Sequence, residues 1–70
     1  RALARGCKLA RKKHPVFAEG KYHALGVIGE EYRELELAVE RESPERQAAE
    51  ALDVAIIALR FVQGEHEHGA

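Results

Sequence analysis

The sequence predicts an all-α fold made of three helices. Apolar residues recur at spacings of three and four in three separate stretches, which is the period of a helix that buries one face. Two breaks separate these stretches, namely His14-Pro15 and the helix-start signal Ser43-Pro44-Glu45. No run of 18 apolar residues occurs, so a membrane-spanning helix is not expected.

The 70 residues, 46% hydrophobic and 33% charged, are expected to form one small domain. A chain of this length buries only about 60% of the surface that its unfolded form exposes, so its core is marginal alone. We therefore expect self-association, with a second chain completing a four-helix bundle. The N-terminal segment lacks the apolar core of a secretory signal, and a single cysteine fits a reducing compartment, so a cytoplasmic location is expected.

The first predicted helix covers residues 2–13, where Leu3, Cys7 and Ala10 share one face and basic residues occupy another. With the connector after it, this helix forms a basic N-terminal segment, residues 1–16. Cys7 is expected to pack as a small hydrophobe, because the chain has no second cysteine for a disulfide. The basic segment permits contact with nucleic acid, but the acidic remainder of the chain and the lack of interleaved aromatic residues argue against it.

Residues 16–20 are predicted to be a connector, because they show no helical period after the proline. Phe17 is interpreted as a core residue that covers the helix ends. The alternative is a stacking surface for a nucleobase, which would make Phe17 a nucleotide-binding residue.

The second predicted helix covers residues 21–42. Its apolar stripe consists of Leu25, Ile28, Tyr32, Leu35 and Val39. At about 100° per residue, Glu31 lies inside the apolar arc at roughly 60° from its centre, Glu34 lies at the edge of the arc, and Glu30 projects nearer the polar face. The helix thus aims Glu31 and Glu34 at the interior. Gly26 and Gly29 each cost the helix about 1 kcal/mol relative to Ala, so we expect either irregular early turns or the close approach of another backbone or a ligand.

The third predicted helix covers residues 44–63, with Ser43 as its N-cap and Pro44 at its first position. It is apolar on two faces, so we expect it to be buried on two sides. One face consists of Ala48, Leu52, Ala55, Leu59 and Val62, and the other carries Val54, Ile57 and Phe61 together with Glu50 and Asp53. Gly64 is a candidate C-cap, and residues 64–70 are interpreted as a polar tail.

Four acids form two pairs at i and i+3, Glu31 with Glu34 and Glu50 with Asp53. The short turn at Ser43 is expected to place the two pairs at similar heights in an antiparallel hairpin. Burying these carboxylates together without a cation is prohibitive, which favours a divalent ion between the helices. Ligation by oxygen alone favours Mg²⁺, or Mn²⁺, and the absence of histidine from both pairs argues against a di-iron centre.

An alternative is a solvated lattice of ion pairs between the glutamates of the Glu30–Glu34 stretch and the arginines of the helices. Glu is a good helix former, and an acid at the edge of an apolar arc is ordinary. In that interpretation no ion is bound. The arginines concerned are Arg33, Arg41, Arg46 and Arg60.

The pattern of these acids resembles that of the MazG-like, all-α nucleoside triphosphate pyrophosphohydrolases. Their signature is E-E-x-x-E, a spacer and E-x-x-D, which matches Glu30-Glu31-x-x-Glu34 and Glu50-x-x-Asp53 with 15 residues between them. The resemblance covers roughly residues 17–62. It implies Mg²⁺-dependent hydrolysis of a nucleoside triphosphate to the monophosphate and pyrophosphate, with a housecleaning role on non-standard nucleotides. It also implies dimers or tetramers whose sites lie between helices.

Carried over residue by residue, the resemblance implies Glu31, Glu34, Glu50 and Asp53 as metal ligands. Glu30 matches the first acid of the signature and is a candidate for orienting water or holding a second ion. One carboxylate among Glu30, Glu31 and Glu34 is expected to act as the general base that deprotonates water. The chain departs from the family in its short length and its lack of tryptophan, so a partner subunit is expected to complete the nucleotide pocket.

A triphosphate needs cations beyond the metal. On position and charge, the candidates are Lys12, Lys13, Lys21 and Arg60, each with a solvated-surface alternative.

The other function considered for the chain is a helical interaction module, such as a regulatory or toxin–antitoxin-type partner, which keeps the fold without turnover.

Overall fold

A computed structural model describes residues 2–13 and 17–67 of the chain. Within these ranges the fold is all-helical without strands, and its helices are α1 (Ala2–Lys13), α2 (Lys21–Arg41) and α3 (Pro44–Val62). The three predicted helices are confirmed, although α2 and α3 each end one residue earlier than predicted. The predicted break at residues 14–15 lies outside the described ranges. None of the described helices is long and apolar enough to cross a membrane.

Helix α3 is the central element of the fold. It packs against α2 in an antiparallel hairpin and also against α1, whereas α1 and α2 make no contact with each other in the described part of the chain. The expectation that the third helix is buried on two sides is therefore confirmed. The first of its two predicted faces is wrong in part, because Ala48, Ala55 and Val62 are exposed. Helices α1 and α2 together cover only part of the circumference of α3.

The sequence-encoded caps define where α3 begins and ends. The Ser43 side chain accepts a hydrogen bond from the Arg46 backbone N–H at 3.2 Å, and Pro44 occupies the first helical position. A cap of this kind stabilises a helix by about 1 kcal/mol. At the other end, Gly64 follows the C-cap residue Gln63 and takes a left-handed φ of 76°, which favours glycine.

The hydrophobic core lies where the 17–20 connector meets the hairpin. Phe17, Ala18 and Ala24 are buried there and pack against Val27, Ile57 and Phe61. The core interpretation of Phe17 is confirmed, and the stacking-surface alternative is wrong. Cys7 is likewise buried as a small hydrophobe on α1.

The face of α2 that meets α3 differs from the predicted stripe. Ala24 and Ala38 are its buried residues, while Leu25, Tyr32 and Val39 are exposed. The helix is rotated toward Glu31 by roughly the angle that separated this residue from the predicted stripe. Small side chains explain the rotation, since alanines let the backbones of two helices approach closely, whereas bulky stripe residues would hold them apart.

The segment after α3, residues 63–67, folds back on the helices and is called the C-terminal turn here. The His66 ring is buried and stacks on Phe61 with 4.2 Å between ring centroids. The His66 carbonyl accepts a hydrogen bond from the Gly20 backbone N–H at 2.8 Å, which ties this turn to the connector. The expected polar tail is thus wrong for residues 64–66, because His66 is buried and Gly64 and Glu65 are half-buried, whereas Glu67 is exposed. Residues 68–70 lie outside the described ranges.

Candidate metal centre

Three carboxylates from two helices converge at the α2–α3 interface. Glu31 comes from α2, Glu50 and Asp53 come from α3, and one oxygen of each lies within 4.8 Å of the others. The rotation of α2 places Glu31 on the face that packs against α3. Glu50 and Asp53, at i and i+3, reach the same point from the facing helix. The cluster is hereafter called the carboxylate triad.

Glu50 is the most buried member of the carboxylate triad. Its side chain is only 10% exposed, and its Oε2 accepts a hydrogen bond from Nη2 of Arg46. Its Oε1 is buried and has no hydrogen-bond partner among the described residues. A buried carboxylate oxygen without a donor is costly, and a cation supplies what it lacks. The residues therefore fit a bound metal ion, and the all-oxygen donor set suits a hard divalent cation.

The electrostatic environment of Glu31 also favours a bound cation. Burial, followed by the negative charges of Glu34, Asp53 and Glu50, raises the pKa of the Glu31 carboxyl above its usual range. The ionised form is thus disfavoured until positive charge arrives. Asp53 is exposed, so the carboxylate triad opens to solvent on its side.

The structure does not bring Glu34 and Glu30 into the carboxylate triad. Both side chains are exposed on α2. Glu34 was expected to join Glu31 as a ligand, but one turn along a rotated helix it projects beside the interface rather than into it. Its charge still acts on Glu31, so it stands at the margin of the site.

A cavity of about 460 Å³, lined by residues of all three helices, adjoins the carboxylate triad. Its polar lining comes from Glu31, Asp53 and Lys13. Its apolar wall is formed by Leu9, Leu52, Ile56 and Ile57, with Gly6 and Ala10 on α1. The volume lies in the usual range for small-molecule pockets.

Of the four cations predicted to meet a nucleotide, Lys13 alone lines this cavity in the described part of the chain. Lys12 and Lys21 are exposed, and Nζ of Lys21 lies 5.3 Å from the centroid of the Tyr22 ring. The position of Arg60 is a correction. Its side chain is 1% exposed and donates to Glu65 at 2.7 Å.

Phe17 is also removed from the cavity. Its ring lies in the core, 5.4 Å from Cζ of Arg60. Arg60 and Phe17 are thus structural residues in this fold. Their burial depends on the C-terminal turn, whose packing leaves no signal in helical periodicity.

Two features of the site went unrecognised at the level of sequence. The first is the contribution of α1 to the cavity, where Gly6, Leu9 and Ala10 line it. This contribution depends on which helices pack side by side, and the sequence pattern does not show that. The second is the hydrogen bond from Arg46 to Glu50. Its signal was present in the sequence, because Arg46 precedes Glu50 by four residues in a predicted helix.

No family model, curated protein or solved structure matches the chain. The resemblance of its acids to the pyrophosphohydrolase signature stays an expectation, and what supports a function is the geometry of the site.

Proposed function

We propose that the chain is a Mg²⁺-dependent nucleoside triphosphate pyrophosphohydrolase. The observation that carries the proposal is the convergence of Glu31, Glu50 and Asp53 at the edge of a cavity that also holds Lys13. Two carboxylates and an ammonium in the lining of one cavity suit a polyphosphate with its cation.

The proposed metal ligands are Glu31, Glu50 and Asp53. Mg²⁺ binds few carboxylates, keeps several waters and is shared with substrate phosphates, so a site partly open to solvent at Asp53 suits it. Mn²⁺ accepts the same oxygen ligands. When bound, the ion would polarise a phosphoryl oxygen and lower the pKa of water.

The cavity divides naturally between the two parts of a nucleotide. Lys13 would bind the negatively charged phosphates. The apolar wall of the cavity, which includes Leu9 and Ile57, would hold the nucleoside away from water. Water attacks phosphorus, the bond between the α and β phosphates breaks, and the products are the monophosphate and pyrophosphate. The proton of that water needs an acceptor that does not hold the ion. Glu34, at the exposed margin beside Glu31, is the proposed general base, with Glu30 farther out.

The decisive experiment is a screen of common and damaged nucleoside triphosphates with Mg²⁺ that measures pyrophosphate release. We expect release from at least one substrate, and a loss of about 100-fold or more in Asp53→Asn, because a ligand of the ion is removed. Glu45→Gln is the matched control. It removes one negative charge from an exposed position on the same helix and should leave the rate unchanged.

If the native protein releases no pyrophosphate from any substrate, the enzyme proposal fails. The interaction module then becomes the favoured function, because the exposed stripe of α2 is a ready surface for a partner helix. Equal activity in Asp53→Asn and the native protein would instead show that the activity does not depend on the carboxylate triad.

We also propose that a second copy of the chain covers the exposed stripe of α2 and completes a four-helix bundle. Leu25, Tyr32 and Val39 are 64%, 55% and 58% exposed, and they recur at the seven-residue spacing of paired helices. Glu36 and Glu40 border a shallow groove that Tyr32 and Val39 also line, so the second half of α2 is acidic there. The first residue of α2 is the basic Lys21. An antiparallel pairing would set the basic start of each α2 against the acidic end of the other, which favours a self-complementary dimer.

A further inference from the structure

Arg46, in the first turn of α3, makes one backbone and two side-chain hydrogen bonds. Its backbone N–H donates to Oγ of Ser43 at 3.2 Å, so the residue belongs to the helix cap. Its Nε donates to Oε1 of Glu42 at 3.3 Å, and its Nη2 donates to Oε2 of Glu50. The guanidinium is therefore held between an exposed acid and a buried one.

The two oxygens of Glu50 consequently have different environments. Oε2 is occupied by the guanidinium, whereas Oε1 is buried and has no hydrogen-bond partner among the described residues. Of the cations that the structure describes, Arg46 alone forms an ion pair with a member of the carboxylate triad. A carboxylate held in this way offers one oxygen, not two, to an ion at the cluster.

The number of oxygens offered matters for the choice of ion. Mg²⁺ demands a near-ideal octahedron with short bonds, which a carboxylate satisfies through a single oxygen. Ca²⁺ is larger, accepts six to eight oxygens and commonly takes both oxygens of one carboxylate. A residue that blocks the second oxygen of Glu50 thus penalises Ca²⁺ more than Mg²⁺.

We infer that Arg46 is a specificity-determining residue that makes Glu50 a one-oxygen ligand and so sets the preference of the site for Mg²⁺ over Ca²⁺. The inference rests on the proposed metal site. Arg46 itself does not touch the ion. It acts through Glu50, as hydrogen-bonded partners of metal ligands do, and such partners typically change metal affinity 10- to 100-fold.

The test uses the full chain and Mn²⁺ as a spectroscopic probe. Free Mn²⁺ is measured by electron paramagnetic resonance, and Mg²⁺ or Ca²⁺ is titrated in to displace it. In Arg46→Met, Oε2 of Glu50 is released, and we expect the ratio of Ca²⁺ to Mg²⁺ affinity to rise about tenfold. Arg46→Lys should keep the native ratio, because an ammonium still occupies one oxygen.

Two further variants make the result specific to this contact. Arg41→Met removes the same charge from an exposed position on α2 and should leave the affinity ratio unchanged. Glu42→Gln weakens the outer anchor of Arg46 without altering Glu50, and it should shift the ratio in the same direction by a smaller factor. If circular dichroism shows that Arg46→Met does not fold, Glu42→Gln and Arg46→Lys decide the question.

Each remaining outcome overturns the inference in a recognisable way. An unchanged ratio in Arg46→Met, or in Glu42→Gln where Arg46→Met does not fold, shows that the guanidinium does not control the second oxygen. An equal rise in Arg41→Met shows a general charge effect. Failure of the native protein to bind Mn²⁺ removes the proposed metal site itself, which is distinct from binding with an unaltered preference.

Discussion

Glu65 joins two arginines that come from different helices. Its carboxylate accepts from Nε of Arg11 on α1 at 2.6 Å and from Nε of the buried Arg60 on α3 at 2.7 Å. Burial opposes ionisation of Glu65, but the hydrogen bonds from the two arginines outweigh it and lower the pKa of this carboxyl below its usual range. Glu65, a single residue of the C-terminal turn, therefore links α1 to α3.

At the scale of this residue, we predict that Glu65→Gln lowers the free energy of unfolding by about 2 kcal/mol at neutral pH, a typical value for hydrogen bonds to charged groups. Because the folded-state pKa is depressed, the contribution is fully present above the unfolded-state pKa and is lost as the pH falls through the folded-state value. Urea unfolding of both proteins across this range measures the difference, which should vanish at acidic pH. Glu19→Gln, at an exposed position, serves as the control. A difference that persists in acid would contradict the ion-pair explanation.

At the scale of the helices, two glycines occupy contrasting positions. A Cβ at Gly6 on α1 would lie 2.5 Å from Cδ1 of Ile56 on α3, so this glycine lets the two helices approach. A Cβ at Gly26 on α2 would have no heavy atom within 4 Å, and the helix runs through it without a break. The expectation of an irregular turn at Gly26 is therefore wrong, and no other backbone of the described chain comes close to it.

These surroundings predict opposite effects of the same substitution. Gly26→Ala should raise the free energy of unfolding by about 1 kcal/mol, the propensity difference between the two residues in a helix. Gly6→Ala gains the same propensity but must displace Ile56, and overpacking costs about 1–3 kcal/mol, so this variant should be less stable than Gly26→Ala by at least that margin. Chemical denaturation of the two variants side by side provides the comparison. Equal stabilisation of both would show that Ile56 moves aside freely into the neighbouring cavity.

At the scale of the whole molecule, Leu25, Tyr32 and Val39 of α2 face outward while its alanines are buried. Tyr32 lies at the centre of the exposed stripe, and Tyr22 is 78% exposed on another face of the same helix. A 70-residue chain with so much apolar surface in solvent is expected to cover it by association.

Tyr32→Glu should therefore convert the proposed dimer to a monomer, because it places a charge at the centre of the proposed interface. Tyr22→Glu makes the same chemical change outside the stripe and should leave the dimer intact. Analytical ultracentrifugation at micromolar concentration distinguishes the two. A native protein that sediments as a monomer, or a dimer that tolerates Tyr32→Glu, would refute a second copy as the occupant of this face.

The amino-acid sequence alone determined the helices and their caps. Ser43, Pro44 and Gly64 act on backbone groups within a few residues, so the limits of α3 could be predicted to within one residue. Periodicity also placed Cys7 in the interior. The burial of Phe17 followed instead from its residue type, because a lone aromatic side chain in a connector usually packs in the core.

Tertiary structure alone decided which acids meet and which cations are available. Glu31 joins Glu50 and Asp53 because packing through Ala24 and Ala38 rotates α2, whereas Glu34, three residues farther along the helix, stays beside the interface. Arg60 is held by Glu65 of the C-terminal turn, while Lys13 lines the cavity from α1, which packs against α3. Helical periodicity defines the relative directions of side chains on one helix. The rotation of that helix against its neighbours depends on side-chain volumes at contacts distant in the sequence, which only the folded chain brings together.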